Sequence, residues 1–428
     1  MEKERIFSFI KENRNFCLLW TSQILSQITL NMINFVMATR IYEKTASTLA
    51  VSFLWIFYYL PSFFLGPFSG FLVDLLSKRK ILIFANFLQS LIMILFLFVG
   101  ENLYPIYTLV FLYSLLNQFY NPAEAASIPS LVQKADLPLA NSLFLFTAQG
   151  ALVLGLGFSG ILMRLFGMNN PIWISIFSLL LATVAVYFLP KDKAFRKNIV
   201  SDILSFWEEI KDGYSFVKNT RIILFPILLM IFFQIFLVVL GVAIPSFSSK
   251  ILMIRIQDAG PLLIIPLALG ALSGTFVLTK YRFKYRKRTL MKSGFLAVLI
   301  LMIFLAFVLP LLGKFKIFFV IPLMYLGGLS GFFISVPNQT LIQEHTPPRL
   351  RGRVYGMLGF LGNILTLPFL LFTATIVDLV GIKLFIFFAA MIIFFMLLFF
   401  DKVENYILSG KAPLSYKKIS YKNSYKGI

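Results

Sequence analysis

Long apolar segments, separated by short polar connections, run along the whole chain of 428 residues. Each segment has about 20 residues, the length at which a helix crosses the hydrocarbon core of a bilayer. The pattern predicts an all-α membrane protein with twelve transmembrane helices. Their predicted limits are 15–40, 48–72, 80–99, 103–123, 139–165, 171–190, 222–248, 258–280, 290–312, 315–338, 354–378 and 381–401.

Composition supports this prediction. The chain is 59% hydrophobic and 13% charged, whereas a soluble domain has about 25% charged residues. The net charge of +21 would suggest nucleic-acid binding in a soluble protein. Here the cations lie between apolar segments, so the bilayer is the predicted partner and nucleic acid is not.

The cations are unevenly divided between the two sides of the predicted membrane. If the N-terminus is cytoplasmic, connections on that side hold 31 of the 39 Lys and Arg residues, and outer connections hold eight. Cytoplasmic loops carry an excess of Lys and Arg in membrane proteins. The distribution therefore predicts that the N- and C-termini are both cytoplasmic.

The longest polar connection divides the apolar segments into two sets of six. We predict an N-terminal six-helix half over 1–190, a linker over 191–221, a C-terminal six-helix half over 222–404 and a basic tail over 405–428. Apolar residues in the linker recur at helical spacing, which predicts an amphipathic helix on the cytoplasmic surface. The alternative is a solvated tether without a further role.

A charged turn follows the second apolar segment. It begins at Gly70, continues through Asp74, and brings Lys78 and Arg79 to the start of the third segment. It resembles the loop signature of the major facilitator superfamily, Gly-x-Leu-x-Asp-Arg-x-Gly-Arg-Arg. Leu75 and Ser77 depart from that signature, at positions where Arg and Gly are usual.

Other stretches resemble one bacterial branch of that superfamily. They are 15–27, 121–132 and 337–343, and the branch holds macrolide-efflux-type proteins, the enterobactin exporter and lysophospholipid transporters. The resemblance implies two pseudo-symmetric halves, alternating access and a monomer in the bacterial cytoplasmic membrane. It also implies a gating loop that stabilises one closed state, formed by Gly70, Asp74, Lys78 and Arg79, with Arg351 and Arg353 in the second half.

The resemblance implies that the first, fourth, seventh and tenth helices line a substrate cavity. Those segments carry amides inside the membrane, several of them at helical spacing: Gln23, Gln27, Asn31, Asn34, Asn117, Asn121, Gln234 and Asn338. Buried amides need hydrogen-bonding partners. They are predicted to contact a small-molecule substrate; the alternative is that they bond neighbouring helices.

Glu124 is the candidate for proton coupling, because it shares a helix face with two of these amides. A proton-coupled carrier needs a carboxyl that gains and loses a proton near neutral pH. The alternative is an ion pair with Lys134. In the family's antiporters a Gly-Pro pair lies in the fifth helix, whereas here Leu156 follows Gly155.

The predicted function is efflux of amphipathic small molecules coupled to protons. Lysophospholipid or metabolite transport without proton antiport, an uptake symporter and a non-transporting receptor on the same fold remain alternatives. An enzyme is not expected, since the chain has one His and no P-loop, Ser/His/Asp order or paired mid-membrane acids. No cofactor or metal is predicted.

Overall fold

The fold is a bundle of long helices, seen in a computed structural model that describes residues 2–100, 102–192, 211, 214–280 and 287–409. These residues contain no β-strand. The long helices are α1 (Glu2–Glu12), α2 (Arg14–Thr45), α3 (Thr48–Leu75), α4 (Lys78–Phe98), α5 (Leu103–Leu131), α6 (Leu137–Phe166), α7 (Asn170–Tyr187), α8 (Arg221–Phe247), α9 (Ile265–Lys280), α10 (Lys287–Ile303), α11 (Lys316–His345), α12 (Pro348–Val380) and α13 (Ile382–Ser409).

Polar side chains begin three of the helices in the first half of the chain. Ser47 caps α3, Ser77 caps α4 and Asn102 caps α5, each by accepting a hydrogen bond from a backbone N–H of the first turn. Such caps satisfy donors that the helix leaves unpaired. The short polar connections of the sequence therefore also define where these helices begin.

Nine described stretches are long and apolar enough to cross a membrane. One of them, Lys287–His345, contains both α10 and α11, with Gly313 in a left-handed conformation between them. Two predicted spans, in α2 and α5, are not among the nine. These two helices carry most of the predicted cavity amides, so the side chains that suggest a polar interior also lower the mean hydropathy.

The distribution of side chains is inverted relative to a soluble protein. Asn86 and Gln89 of α4 are completely buried, whereas Phe84 on the same helix is 62% exposed. Large exposed apolar surfaces mark contact with a membrane or a partner. The chain is a multi-pass membrane protein whose polar groups lie within the helix bundle.

The helices pack in two groups. Helices α2 to α7 contact one another, as do α8 to α13, and the main contacts between groups join α3 to α12 and α6 to 256–264. The predicted amphipathic linker helix lies largely outside the described residues, and the tail from 410 onward lies wholly outside them.

Candidate functional site

A chain of hydrogen bonds crosses the interior of the first helix group and ends at Glu124. Ser26 donates to the Asn86 amide oxygen at 2.9 Å, and the Asn86 amide nitrogen donates to Ser22 at 3.0 Å. The Ser22 and Tyr120 hydroxyls lie 3.1 Å apart, and Tyr120 donates to Glu124 Oε1 at 2.9 Å. We call these five residues the Glu124 network.

Helical spacing explains how three helices assemble this network. Ser22 and Ser26 are four residues apart on α2, as are Tyr120 and Glu124 on α5, so each pair lies on one face. Asn86 of α4 bridges the two serines. All five side chains are buried, and a fully bonded polar network of this kind holds its helices in one arrangement.

Glu124 is 5% exposed and has a hydroxyl rather than a cation as its partner. Lys134, the ion-pair partner considered from the sequence, is exposed, and no bond joins it to Glu124 among the described residues. An isolated carboxylate in a low-dielectric interior is costly unless it is paired or neutralised. The site is therefore suited to hold a carboxyl group that exchanges a proton.

Several of the predicted cavity amides form hydrogen bonds with protein groups. Gln23 donates to the Phe144 carbonyl oxygen at 3.1 Å, Asn31 donates to the Gln27 carbonyl oxygen at 2.8 Å, and Asn117 accepts from Gln89 at 2.9 Å. The Gln23 and Gln89–Asn117 bonds join different helices, as the helix-bonding alternative describes, whereas the Asn31 bond stays within α2.

The other amides of the first group differ in exposure. Asn34 is buried, the Gln27 side chain is half-buried, and Asn121 is exposed. Asn121 is thus the exposed member of the helix face that its spacing gives it in common with the buried Asn117 and Glu124.

A second polar relay joins the two helix groups near the middle of α3, α8 and α12. Gln234 donates to the Asn363 amide oxygen at 3.3 Å, and the Asn363 amide nitrogen donates to Ser62 at 3.3 Å. Both bonds are long, so another hydrogen-bonding group can replace them at low cost. Asn338 lies elsewhere: it is 1% exposed and donates to the Pro226 carbonyl oxygen at 2.9 Å.

The two helix groups also meet at the end of the molecule where residues 45–48 connect α2 to α3. The Asp378 carboxylate of α12 accepts from Ser47 Oγ at 2.7 Å and from the backbone N–H groups of Thr48 and Leu49 at 2.9 Å. It thus binds the N-terminus of α3, where the helix dipole favours a negative charge. We call this contact the Asp378 cap.

On the other side of the same end, glycines allow α6 to approach the 256–264 segment closely. A Cβ atom on Gly160 would overlap the carbonyl oxygen of Gln257, and one on Gly260 would lie 2.5 Å from the carbonyl oxygen of Gly157. We call this contact the glycine seam. An exposed ion pair, Arg164 to Asp258 at 2.7 Å, lies beside it.

The predicted gating loop makes contacts within its own helix group. Lys78 Nζ donates to the Ala126 carbonyl oxygen at 3.2 Å, and Arg79 bonds the Tyr187 carbonyl oxygen. Gly70 lies inside α3, with open space where a Cβ would be. The side chain of Asp74 lies outside the described part of the chain. The loop's role in gating stays a prediction.

The gating residues predicted in the second half lie at the start of α12. Arg351 donates to the carbonyl oxygens of Thr346 and Gln343, and Arg353 is half-buried. The Arg351 contacts, like those of the first-half loop, stay within one helix group.

Sequence reasoning missed several of these residues. Asn86 and Gln89 are polar residues within the apolar segment 80–99, a pattern that can indicate buried polar groups. Asp192, just after α7, accepts from the Lys78 backbone N–H at 2.6 Å. Asn363 and Ser62 gave weaker signals, because their relation appears only when α3 and α12 come together. No group of His, Cys, Asp and Glu that could hold a metal lies within the described residues.

Sequence comparison with known proteins finds relatives among membrane transporters. The family model of the Major Facilitator Superfamily matches residues 19–370. Macrolide efflux protein A of Streptococcus pyogenes is 23% identical over 380 residues, which cover 86% of this chain and 90% of that one. The uncharacterized MFS-type transporter YfiS of Bacillus subtilis is 25% identical over 74% of this chain and 75% of its own length.

Solved structures share the fold at lower identity. A mutant of the nucleoside transporter NupG has a TM-score of 0.70 at 12% identity, over 91% of this chain and 99% of that one. A bacterial homologue of the iron transporter ferroportin, in an inward-facing state, has a TM-score of 0.70 at 13% identity, over 91% and 98%. At this identity the likeness concerns the fold alone.

Proposed function

The chain belongs to the major facilitator superfamily, and we propose that it exports amphipathic small molecules by alternating access. Its efflux relatives support this direction: besides the macrolide efflux protein, a putative bacilysin exporter of Bacillus subtilis is 25% identical over 39% of this chain and 41% of its own length. We place the protein in the bacterial cytoplasmic membrane with both termini inside, on the strength of the charge distribution.

The proposed layout has twelve spanning helices, α2 to α13, in two halves of six. The grouping of helix contacts supports it, because α2 to α7 and α8 to α13 each pack among themselves. Transporters with repeated halves bind substrate between them and move by rocking one half against the other. The long hydrogen bonds of the Gln234, Asn363 and Ser62 relay lie between the halves, where a substrate would replace them.

Closure at one end would rest on the Asp378 cap and the glycine seam. In the proposed orientation the 45–48 connection and the 256–258 segment face the outside, so the conformation described here is closed to the outside. Opening requires that both contacts separate while each half stays intact. The predicted gating loop would stabilise closure at the opposite, cytoplasmic end.

Proton coupling is proposed to reside in Glu124. The observation that carries this step is a buried carboxyl bonded to a phenol hydroxyl, with no cation bonded to it among the described side chains. Rocking of the halves would change the solvent access of this carboxyl. A carboxyl that is protonated in one conformation and releases its proton in the other would link substrate export to proton entry.

The test is flux in proteoliposomes of the purified protein, with an imposed pH gradient and the lipophilic cation ethidium. We expect the gradient to accelerate ethidium movement. Glu124→Gln should abolish the gradient-dependent part, because its amide cannot exchange a proton. The matched control is Asp136→Asn, which changes an acid in the loop after the same helix and should retain the wild-type dependence.

Three results would contradict the proposal in different places. Ethidium flux at the same rate with and without the pH gradient would contradict proton coupling. An unchanged gradient dependence in Glu124→Gln would contradict the assignment of the coupling residue. No movement of ethidium in any variant would contradict export of amphipathic cations and would favour the lysophospholipid or metabolite alternative.

A further inference from the structure

An apolar groove lies between α4 and α5 on the outer surface of the helix bundle, beside the end of α3. Its cavity volume is about 340 Å³. Its walls are Ile81 and Phe84 of α4 and Leu116 and Phe119 of α5, with Lys80 at one end. The groove is separate from the Glu124 network, which faces the bundle interior.

Lys80 is exposed and makes no side-chain hydrogen bond or ion pair among the described residues. Its two neighbours are engaged: Lys78 binds the Ala126 carbonyl oxygen and Arg79 binds the Tyr187 carbonyl oxygen. Asp192 already occupies the N-terminus of α4, through Ser77 Oγ and the Lys78 backbone N–H. An incoming anion would therefore meet the Lys80 ammonium rather than the helix end.

We propose that this groove binds an anionic phospholipid, with an acyl chain between α4 and α5 and the phosphate at Lys80. Four apolar side chains line a surface that faces hydrocarbon in a spanning bundle, and the cation stands where the apolar helix begins. Cations at the membrane surface attract anionic lipids, and pockets with basic residues between spanning helices bind their headgroups. The charge of Lys80 and the apolar walls together select an anionic amphiphile.

The test measures lipid retained by the full-length protein after purification from membranes of equal phosphatidylglycerol and phosphatidylcholine content, by native mass spectrometry. Wild type should retain phosphatidylglycerol in preference. Lys80→Gln should reduce this preference about fivefold, the change expected for one Lys–anion contact near a membrane surface. Leu116→Trp, which fills the half-buried middle of the groove, should reduce retention of both lipids.

Lys402→Gln is the matched control, because Lys402 is also exposed, lies on the same predicted side and stands over the ring of Phe399 at 5.6 Å, outside the groove. It should retain wild-type preference. Equal loss of preference in Lys80→Gln and Lys402→Gln would overturn the site in favour of general surface attraction. Unchanged retention in Leu116→Trp would overturn it as well. Neither readout depends on transport.

Discussion

Two glycine contacts in this protein have the same geometry but different positions. Within the second helix group, a Cβ atom on Gly270 of α9 would overlap the Tyr325 carbonyl oxygen, and one on Gly328 of α11 would overlap that of Leu267. Between the groups, the glycine seam pairs Gly160 with Gln257 in the same way. In both places the absence of a side chain lets two backbones touch.

Under the proposed alternating-access mechanism, the two contacts differ in what each must do during transport. The contact between α9 and α11 belongs to one rocking body and has to persist in every conformation. The glycine seam joins two bodies and has to open. A substitution in the first should destabilise the folded protein, whereas a substitution in the second should change only the balance between conformations.

The largest effect is expected for Gly328→Ala. The added Cβ meets backbone atoms of Leu267, which cannot move aside as the end of a flexible side chain can. Overpacking typically costs about 1–3 kcal/mol, so the thermal unfolding midpoint of the purified protein should fall by roughly 1–3 °C. Gly327→Ala is the control, since its Cβ would meet Leu301 at an ordinary 3.5 Å. Equal unfolding midpoints in Gly328→Ala and Gly327→Ala would show that the close backbone contact at Gly328 does not stabilise the folded protein.

Gly160→Ala should leave the unfolding midpoint near that of wild type and reduce closure of the seam. Closure can be measured by thiol cross-linking of Glu43→Cys with Gln257→Cys, whose native side chains bond at 3.0 Å, after Cys17, the single cysteine, is replaced by Ser. A cost of about 1.4 kcal/mol lowers the closed-to-open ratio tenfold.

Gly150→Ala on the same helix is the control for the seam, because a Cβ there would meet open space. It should cross-link as wild type does. If Gly160→Ala lowers the unfolding midpoint as far as Gly328→Ala does, the seam belongs to the permanent core, and the distinction between the two contacts is wrong.

The smallest effect is expected for Asp378→Asn, which tests the polar contact at the same end. The amide keeps one acceptor oxygen but loses the charge that strengthens three hydrogen bonds. The loss of about 0.5–1 kcal/mol relative to the carboxylate should lower cross-linking of the same cysteine pair by about threefold. Asp401→Asn, which removes an ion pair with Lys292 inside one helix group, should leave cross-linking unchanged.

The sequence predicted the helical membrane fold well, because apolar segment length is a property of each segment alone. It also selected Glu124 of α5 as the candidate for proton coupling; the side chain is buried, and the coupling role stays a prediction. It did not predict Tyr120 as the partner of Glu124 or Asn86 as the bridge between two serines. Those relations depend on how α2, α4 and α5 rotate against one another, which no single helix specifies.

Contacts between the two helix groups could be predicted even less well from the sequence. Asp378 lies at the end of the predicted span 354–378, and nothing in its neighbours indicates that it caps a helix more than 300 positions earlier in the chain. Gly160 lies in the predicted span 139–165, and nothing in the sequence of that span separates it from Gly150 or Gly155. Which glycine meets a backbone and which meets open space depends on the neighbouring helix.

The glycine seam also constrains how this protein can change by mutation. Every single-nucleotide change of a glycine codon that alters the amino acid adds at least a Cβ atom, so no such step at Gly160 avoids the Gln257 backbone. A side chain can enter there only after the opposite backbone has shifted. The proposed substrate site is not constrained in this way, because the half-buried amides of the Gln234 and Asn363 relay meet through side chains rather than through backbones.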